Sequence, residues 1–158
     1  MRSVPSVTCL ALVGSLAFRP PQGAPSDPCT LLTAKEVSGI LGIKSLPGRP
    51  WLGISKTSCF FSADTTFDLT SRTVTVQIVT PAAFSFGKQM STKGPLAGKS
   101  AGVGDESYYV SGGSYAKLGV RKGGSAFSIT VTPGAEKGTP DQVADLEKAL
   151  AKDAVARL

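Results

Sequence analysis

The chain has 158 residues, of which 41% are hydrophobic and 18% are charged, and its formal net charge is +6. This composition is too apolar and too weakly charged for a disordered chain, and the length is that of one ordinary domain. The lysines and arginines stand singly or in pairs without interleaved aromatic residues, so the basic charge does not indicate a nucleic-acid partner and is typical of a solvated surface.

The first seventeen residues have the order of a secretory signal peptide. Arg2 gives a positive start, Val7–Gly14 is an apolar run, and residues 15–17 place small side chains at both ends of a cleavage pattern. The run is shorter than the roughly 20 apolar residues of a transmembrane helix, so no transmembrane span is predicted. Most of it follows Cys9, which therefore does not fit a lipid-attachment site. We expect an exported protein, periplasmic or extracellular. Its predicted parts are a signal peptide at 1–17, a disordered linker at 18–28 and one domain at 29–158.

Removal of the signal peptide leaves two cysteines, Cys29 and Cys59. An even pair in an exported domain is most simply a disulfide. The alternative is a catalytic thiol, which needs a neighbouring histidine to accept its proton, and the chain contains no histidine. We therefore predict a Cys29–Cys59 disulfide, which contributes about 3–4 kcal/mol in the chain-entropy model.

The domain begins with a short helix. Thr33 and Glu36 form a capping box, apolar side chains follow at helical spacing, and Gly42 suits the residue after a helix end. This pattern predicts a helix over about 33–41.

Two strands and a weaker helix follow. A strand is expected at 58–61, and the alternation of apolar and polar residues over 72–80 predicts the clearest strand of the chain. Residues 82–90 predict a second helix that Gly87 interrupts.

The second half of the domain is predicted to contain three strands and a long helix. Paired glycines between the strands suit tight hairpin turns, and Thr139–Gln142 is a second capping box that opens a helix to about residue 157. The predicted strands are 107–110, 115–121 and 126–132. The buried stripe of the helix is predicted to be Val143, Leu146, Ala149, Leu150 and Ala154. The residues expected to face water are Asp145, Glu147, Lys148 and Lys152.

This order of elements predicts the α+β class. We expect an antiparallel sheet of about five strands, with a short N-terminal helix, a weak middle helix and a long C-terminal helix packed on one face. An antiparallel sheet can leave its other face in water, which suits the mixed Thr, Ser and Val composition of the strands.

These motifs resemble a family of small exported bacterial proteins and lipoproteins that share a domain of unknown function. The matching segments are 27–33 (DPCTLLT) with Glu36–Val37, the cysteine before Phe60, 102–106 (GVGDE), 120–123 (VRKG) and a terminal helix that ends at 156–158 (ARL). The resemblance covers residues 27–158 and implies an extracytoplasmic domain with a cysteine pair and no assigned activity. The chain departs from the lipoprotein members because it lacks a usable lipobox.

Only the segment Gly102–Glu106 has the character of a chemical site. Two adjacent carboxylates cannot fill the six to eight oxygen positions around Ca²⁺, so no metal site and no cofactor are predicted. The lack of histidine removes the commonest zinc ligand and the base of a serine-hydrolase triad, so no catalytic residue is predicted. The residues expected on a binding surface are Trp51, Asp105, Glu106 and Arg121.

The leading hypothesis is a non-catalytic binding or interaction module of the periplasm or cell envelope. Its partner would be an envelope protein, a cell-wall component or a small ligand, and this hypothesis requires an apolar patch or a cleft on the folded surface. The alternative is an envelope-acting hydrolase that uses Asp105 or Glu106 as acid or base, which requires a second acidic group with a shifted pKa.

Overall fold

The structure is a computed structural model that describes residue 25 and residues 27–51, 56–65, 70–112, 115–135 and 138–158. The predicted signal peptide and most of the predicted linker lie outside these residues. Asp27 and Pro28, which end that linker, belong to the folded domain. The Asp27 carboxylate accepts a hydrogen bond from the Cys29 N–H at 2.8 Å, and Pro28 is buried in a 3₁₀ turn at Pro28–Thr30.

The described residues form three α-helices and a six-stranded antiparallel sheet, which confirms the predicted α+β class. The helices are α1 (Ala34–Leu41), α2 (Pro81–Met90) and α3 (Pro140–Val155). The strands are β1 (Arg49–Pro50), β2 (Ser58–Ser62), β3 (Thr73–Ile78), β4 (Glu106–Gly112), β5 (Tyr115–Lys122) and β6 (Ser125–Thr132). The sheet has one strand more than predicted because β1 pairs with β2. A two-residue strand is too short to show a period of two in the sequence.

The order of strands across the sheet is β1-β2-β3-β6-β5-β4. The last strand in sequence, β6, pairs with both β3 and β5 and so joins the two halves of the domain. Helix α3 packs on β5 and β6 and also contacts α1, while α2 packs on β4, β5 and β6. Tyr109 belongs to the main core, whereas its neighbour Tyr108 packs in a separate cluster with Phe84 of α2. Because successive strand residues point to opposite faces, α3 and α2 lie on opposite faces of the sheet. The face that was expected to lie in water is therefore partly covered by α2.

Both predicted capping boxes are present. The Thr33 hydroxyl accepts a hydrogen bond from the Glu36 N–H at 3.3 Å, and the Glu36 carboxylate accepts one from the Thr33 N–H at 2.8 Å. Thr139 and Gln142 repeat this arrangement at the start of α3, at 3.3 and 2.9 Å. Gly42 ends α1 with φ of +67°, a conformation that favours glycine. The predicted bounds of both helices are correct within two residues.

Gly87 does not interrupt α2, contrary to the prediction. The helix is continuous, and Gly87 lies directly over the hydroxyl of Tyr108, where any Cβ would overlap it. Gly119 on β5 leaves space for the same ring on its other side. Phe84 meets the edge of the ring at a centroid distance of 4.9 Å. The two glycines therefore serve the packing of Tyr108 between helix and sheet.

The Cys29–Cys59 disulfide is present, with the sulfur atoms 2.07 Å apart. It joins the 3₁₀ turn before α1 to β2, and Cys59 is completely buried. Gly48 lies against the Cys59 sulfur and the ring of Phe61, where a larger residue would collide. The disulfide thus fixes the N-terminal part of the fold, including the start of α1, to the sheet.

Candidate functional site

The four residues predicted to form a binding surface lie in two separate places. Glu106 and Arg121 are opposite each other on β4 and β5 and form an ion pair, with Asp105 next to them. Trp51 follows β1 at the other edge of the sheet, where its half-buried ring meets Phe60 edge-on at 5.2 Å. The structure therefore brings together Asp105, Glu106 and Arg121 but not Trp51.

Asp105 and Glu106 are held in ion pairs. The Asp105 carboxylate accepts hydrogen bonds from Lys122 Nζ at 2.8 Å and from the Gly123 N–H at 2.7 Å, and these two bonds lower the pKa of Asp105. Glu106 pairs with Lys88 and with its cross-strand arginine, and these partners lower the pKa of Glu106. A general acid needs a raised pKa, so neither carboxylate has the pKa shift expected of a general acid.

A groove of about 490 Å³ lies between the C-terminal end of α1, the first half of α3 and the end of β6. This volume falls within the roughly 300–1,000 Å³ of ordinary ligand pockets. Its apolar lining consists of Ile40, Leu41, Val131, Pro133, Val143 and Leu146. The sequence predicted these residues only as parts of single elements, such as Gln142 in a capping box or Leu146 in a helical stripe, because the walls of the groove come from segments far apart in the chain.

The groove has few polar side chains, and two of them are held by hydrogen bonds. Arg72 donates a hydrogen bond from Nη1 to the Leu41 carbonyl at 2.8 Å, which fixes the guanidinium at the end of α1. The side-chain oxygen of Gln142 accepts the Thr139 N–H of the capping box, and Asp145 is exposed. A mainly apolar cleft with a small number of positioned polar groups is the usual form of a small-molecule site.

A second cleft, of about 390 Å³, lies on the other side of α3. Its lining includes Lys99, Ser100, Asp141 and Lys148. Lys99 and Asp141 form an ion pair at 2.7 Å, and the Ser100 hydroxyl lies 2.9 Å from the hydroxyl of Ser107. Lys99, Asp141 and Ser100 thus already have partners, so this cleft is the weaker candidate for a ligand site.

Glu147 is completely buried, which corrects the prediction that it faces water. It shares the inner side of α3 with Val143, Leu150 and Ala154, at spacings that repeat along one helix face. Its Oε1 accepts a hydrogen bond from the N–H of Val131, a groove residue, at 3.1 Å, and Oε2 has no hydrogen-bond partner among the described residues. Burial raises the pKa of Glu147 to about 8, against the opposing effect of that hydrogen bond.

Comparisons of the chain with protein-family models, with curated proteins and with solved structures find no match. The resemblance to the exported family therefore stays a prediction. Within the part of the chain that the structure describes, no helix is long and apolar enough to cross a bilayer. In the same part of the chain, no three His, Cys, Asp or Glu side chains are grouped as metal ligands.

Proposed function

We propose that this protein is a non-catalytic binding module of the periplasm or cell envelope that holds its ligand in the groove between α1 and α3. The ligand is a small molecule or a short segment of an envelope partner. One observation carries the proposal: a mainly apolar groove of about 490 Å³ in which hydrogen bonds fix the polar side chains of Arg72 and Gln142.

The lining of the groove supports binding over catalysis. The titratable side chains that line the groove are Arg72 and Asp145, and its described lining residues include no Ser, Cys or His. Arg72 is fixed by its bond to α1, which suits an orienting group. Nucleophilic catalysis requires an activated hydroxyl or thiol beside a base, and that pair is not found among these residues.

The disulfide supports the extracytoplasmic part of the proposal. Disulfides persist in oxidising compartments such as the periplasm and are rare in the cytosol. Cys29–Cys59 fixes the turn that leads into α1, one of the two helices of the groove. Export itself is tested by expressing the full chain in a bacterium and determining the N-terminus of the protein in the periplasmic extract. We expect the residues up to about Ala17 to be absent, as in a cleaved signal peptide.

Ligand binding in the groove is tested with Nile red, a neutral apolar fluorophore. We expect saturable binding with a blue-shifted emission, and chemical-shift changes in amide NMR spectra centred on Ile40, Val143 and Leu146. The variant Leu146→Trp fills the groove and should abolish this binding. The matched control is Gln89→Trp, which places the same ring on an exposed position of α2. Binding that is absent in the wild type, or that survives in Leu146→Trp, would contradict the proposal.

The hydrolase built on Asp105 or Glu106 stays the alternative prediction. Its direct test is the incubation of purified protein with cell-wall glycan and the measurement of released reducing ends. Activity that is present in the wild type and lost in Glu106→Gln, in a variant that keeps its fold by circular dichroism, would favour the alternative over a binding module.

A further inference from the structure

The three large hydrophobic side chains found exposed among the described residues lie on the same side of the molecule. Phe86 is 64% exposed and Met90 54% exposed on α2, and Tyr115 on β5 is 49% exposed. Ala116, the strand neighbour of Tyr115, belongs to the main core on the α3 side. Since neighbouring strand residues point to opposite faces, Tyr115 projects on the α2 side of the sheet.

One exposed stripe of α2 is apolar, although its side chains do not pack against the sheet. Phe84 and Gly87 make the contacts with Tyr108 beneath the helix. Phe86 and Met90, one helical turn apart, are turned away from the sheet, and Ala82 precedes them by another turn on the same side. We refer to Ala82, Phe86 and Met90 as the α2 patch; Tyr115 is exposed on the same side of the sheet. Folding of the domain does not explain why these positions are apolar.

An excess of positive charge lies beside the α2 patch. Helix α2 and the residues just after it carry Lys88 and Lys93 and no Asp or Glu. Lys88 of α2 keeps 55% of its side chain exposed while it pairs with Glu106, and Lys93 just after the helix is exposed. Arg121 lies over the Phe84 ring at 5.4 Å and is 44% exposed. In this neighbourhood Lys88, Lys93, Arg121 and Lys122 outnumber the two carboxylates of Asp105 and Glu106, which leaves an excess of positive charge.

We propose that the α2 patch docks the protein onto the surface of a membrane that contains anionic lipids. An interfacial helix combines aromatic and aliphatic side chains that enter the headgroup region with lysines and arginines that meet anionic headgroups. The patch lies on a convex helix and has few large side chains, whereas a stable protein interface buries about 800 Å² on each partner. A lipid surface needs no complementary shape, so it fits this patch better than a protein partner does. This proposal does not depend on the groove between α1 and α3.

The test is co-sedimentation of the folded domain with vesicles of phosphatidylcholine, with and without phosphatidylglycerol. We expect binding only to the vesicles that contain phosphatidylglycerol, and weaker binding at high salt because the charge interaction is screened. The double variant Phe86→Ser/Met90→Ser should lower the affinity by about tenfold or more, since it removes both inserting side chains. These positions are exposed, so the variant should keep the wild-type circular dichroism spectrum.

The charge contribution has a matched control. Lys93→Glu should weaken binding to the anionic vesicles severalfold, while Lys152→Glu makes the same change of charge on α3, on the other side of the sheet, and should leave binding unchanged. Leu146→Trp should also bind vesicles normally, which separates this proposal from the groove. The proposal is overturned if the wild-type protein does not bind anionic vesicles, or if Lys93→Glu and Lys152→Glu weaken vesicle binding equally. It is also overturned if Phe86→Ser/Met90→Ser abolishes a dimer in solution and leaves vesicle binding unchanged.

Discussion

Replacement of Glu147 by glutamine should change how the stability of the protein depends on pH. Glu147 is completely buried, and one of its oxygens has no hydrogen-bond partner among the described residues. Its charged form is therefore disfavoured in the folded state, and its pKa is about 8 there against an ordinary value of 4.5. Glutamine has nearly the same shape, can still accept the Val131 N–H, and does not titrate.

The sign of the effect follows from the proton count. Between pH 4.5 and about 8 the folded chain keeps a proton on Glu147 that the unfolded chain has released. The free energy of unfolding therefore falls as the pH rises through this window. A pKa difference of one corresponds to about 1.4 kcal/mol, so the full loss is on the order of 5 kcal/mol. This is comparable with the total stability of a small domain, about 5–15 kcal/mol.

Other carboxylates act in the opposite direction at lower pH. The pKa values of Asp105 and Glu106 are lowered, first of all by their hydrogen bonds to Lys122 and Lys88, respectively. Their contribution is present above the ordinary pKa values of 3.8 and 4.5 and is lost as the pH falls below them. Because these ion pairs are largely exposed, their effect is small. We expect the stability of the wild-type domain to be greatest at about pH 5.

The assay is urea unfolding at about pH 5, 6, 7 and 8, followed by tryptophan fluorescence and circular dichroism. The wild type should lose stability steadily with rising pH, whereas Glu147→Gln should be nearly flat and clearly more stable at pH 8. Near pH 5 the two proteins should agree within about 1 kcal/mol, since both side chains are then neutral. Asp145→Asn, which removes an exposed carboxylate from the same helix, should keep the wild-type slope. Equal slopes in wild type and Glu147→Gln would refute the reasoning.

Three further variants test the disulfide, the packing of Tyr108 and the cap of α3 by urea unfolding. Cys29→Ala/Cys59→Ala should cost about 3–4 kcal/mol through the released loop, and the denatured, unreduced wild-type domain should show neither cysteine as a free thiol. Gly119→Ala should lower the free energy of unfolding by about 1–3 kcal/mol because its Cβ overlaps the Tyr108 ring. In a Tyr108→Leu background the same change should cost less. Equal costs in the two backgrounds would contradict the idea that Gly119 makes space for this ring. Thr139→Ala should cost about 1 kcal/mol through the lost cap of α3, and an unchanged midpoint would show that the cap is unimportant.

The elements that the sequence predicted best are those set by local chemistry. The capping boxes of α1 and α3 were correct within two residues because each one satisfies its own backbone donors within a single turn. The alternation in β3 was equally clear, since one side of that strand meets the core. Strand β1 was missed because its two residues are a strand only through their pairing with β2.

Two errors arose where tertiary contacts override a local rule. Gly87 is unfavourable inside a helix on propensity alone, but the close approach of the Tyr108 ring requires a residue without Cβ. Glu147 falls at the spacing of Val143, Leu150 and Ala154, so the helical period alone places it inside. The prediction that Glu147 faces water followed the general rule for carboxylates. The helical period, which places Glu147 inside, was correct.

The groove was not predictable from the sequence, because it is formed by segments distant in the chain. Leu41 ends α1, Arg72 precedes β3, Val131 lies near the end of β6 and Leu146 lies on α3. The sequence accounts for each of these residues by its own element: it belongs to the apolar stripe of a helix, to the start of a strand or to the alternating pattern of a strand. Only the pairing of β6 with β3 brings the start of one strand beside the end of the other, and α3 then covers that end of the sheet. A binding site of this kind is a consequence of topology, so its residues show no motif even where their individual roles in packing are clear.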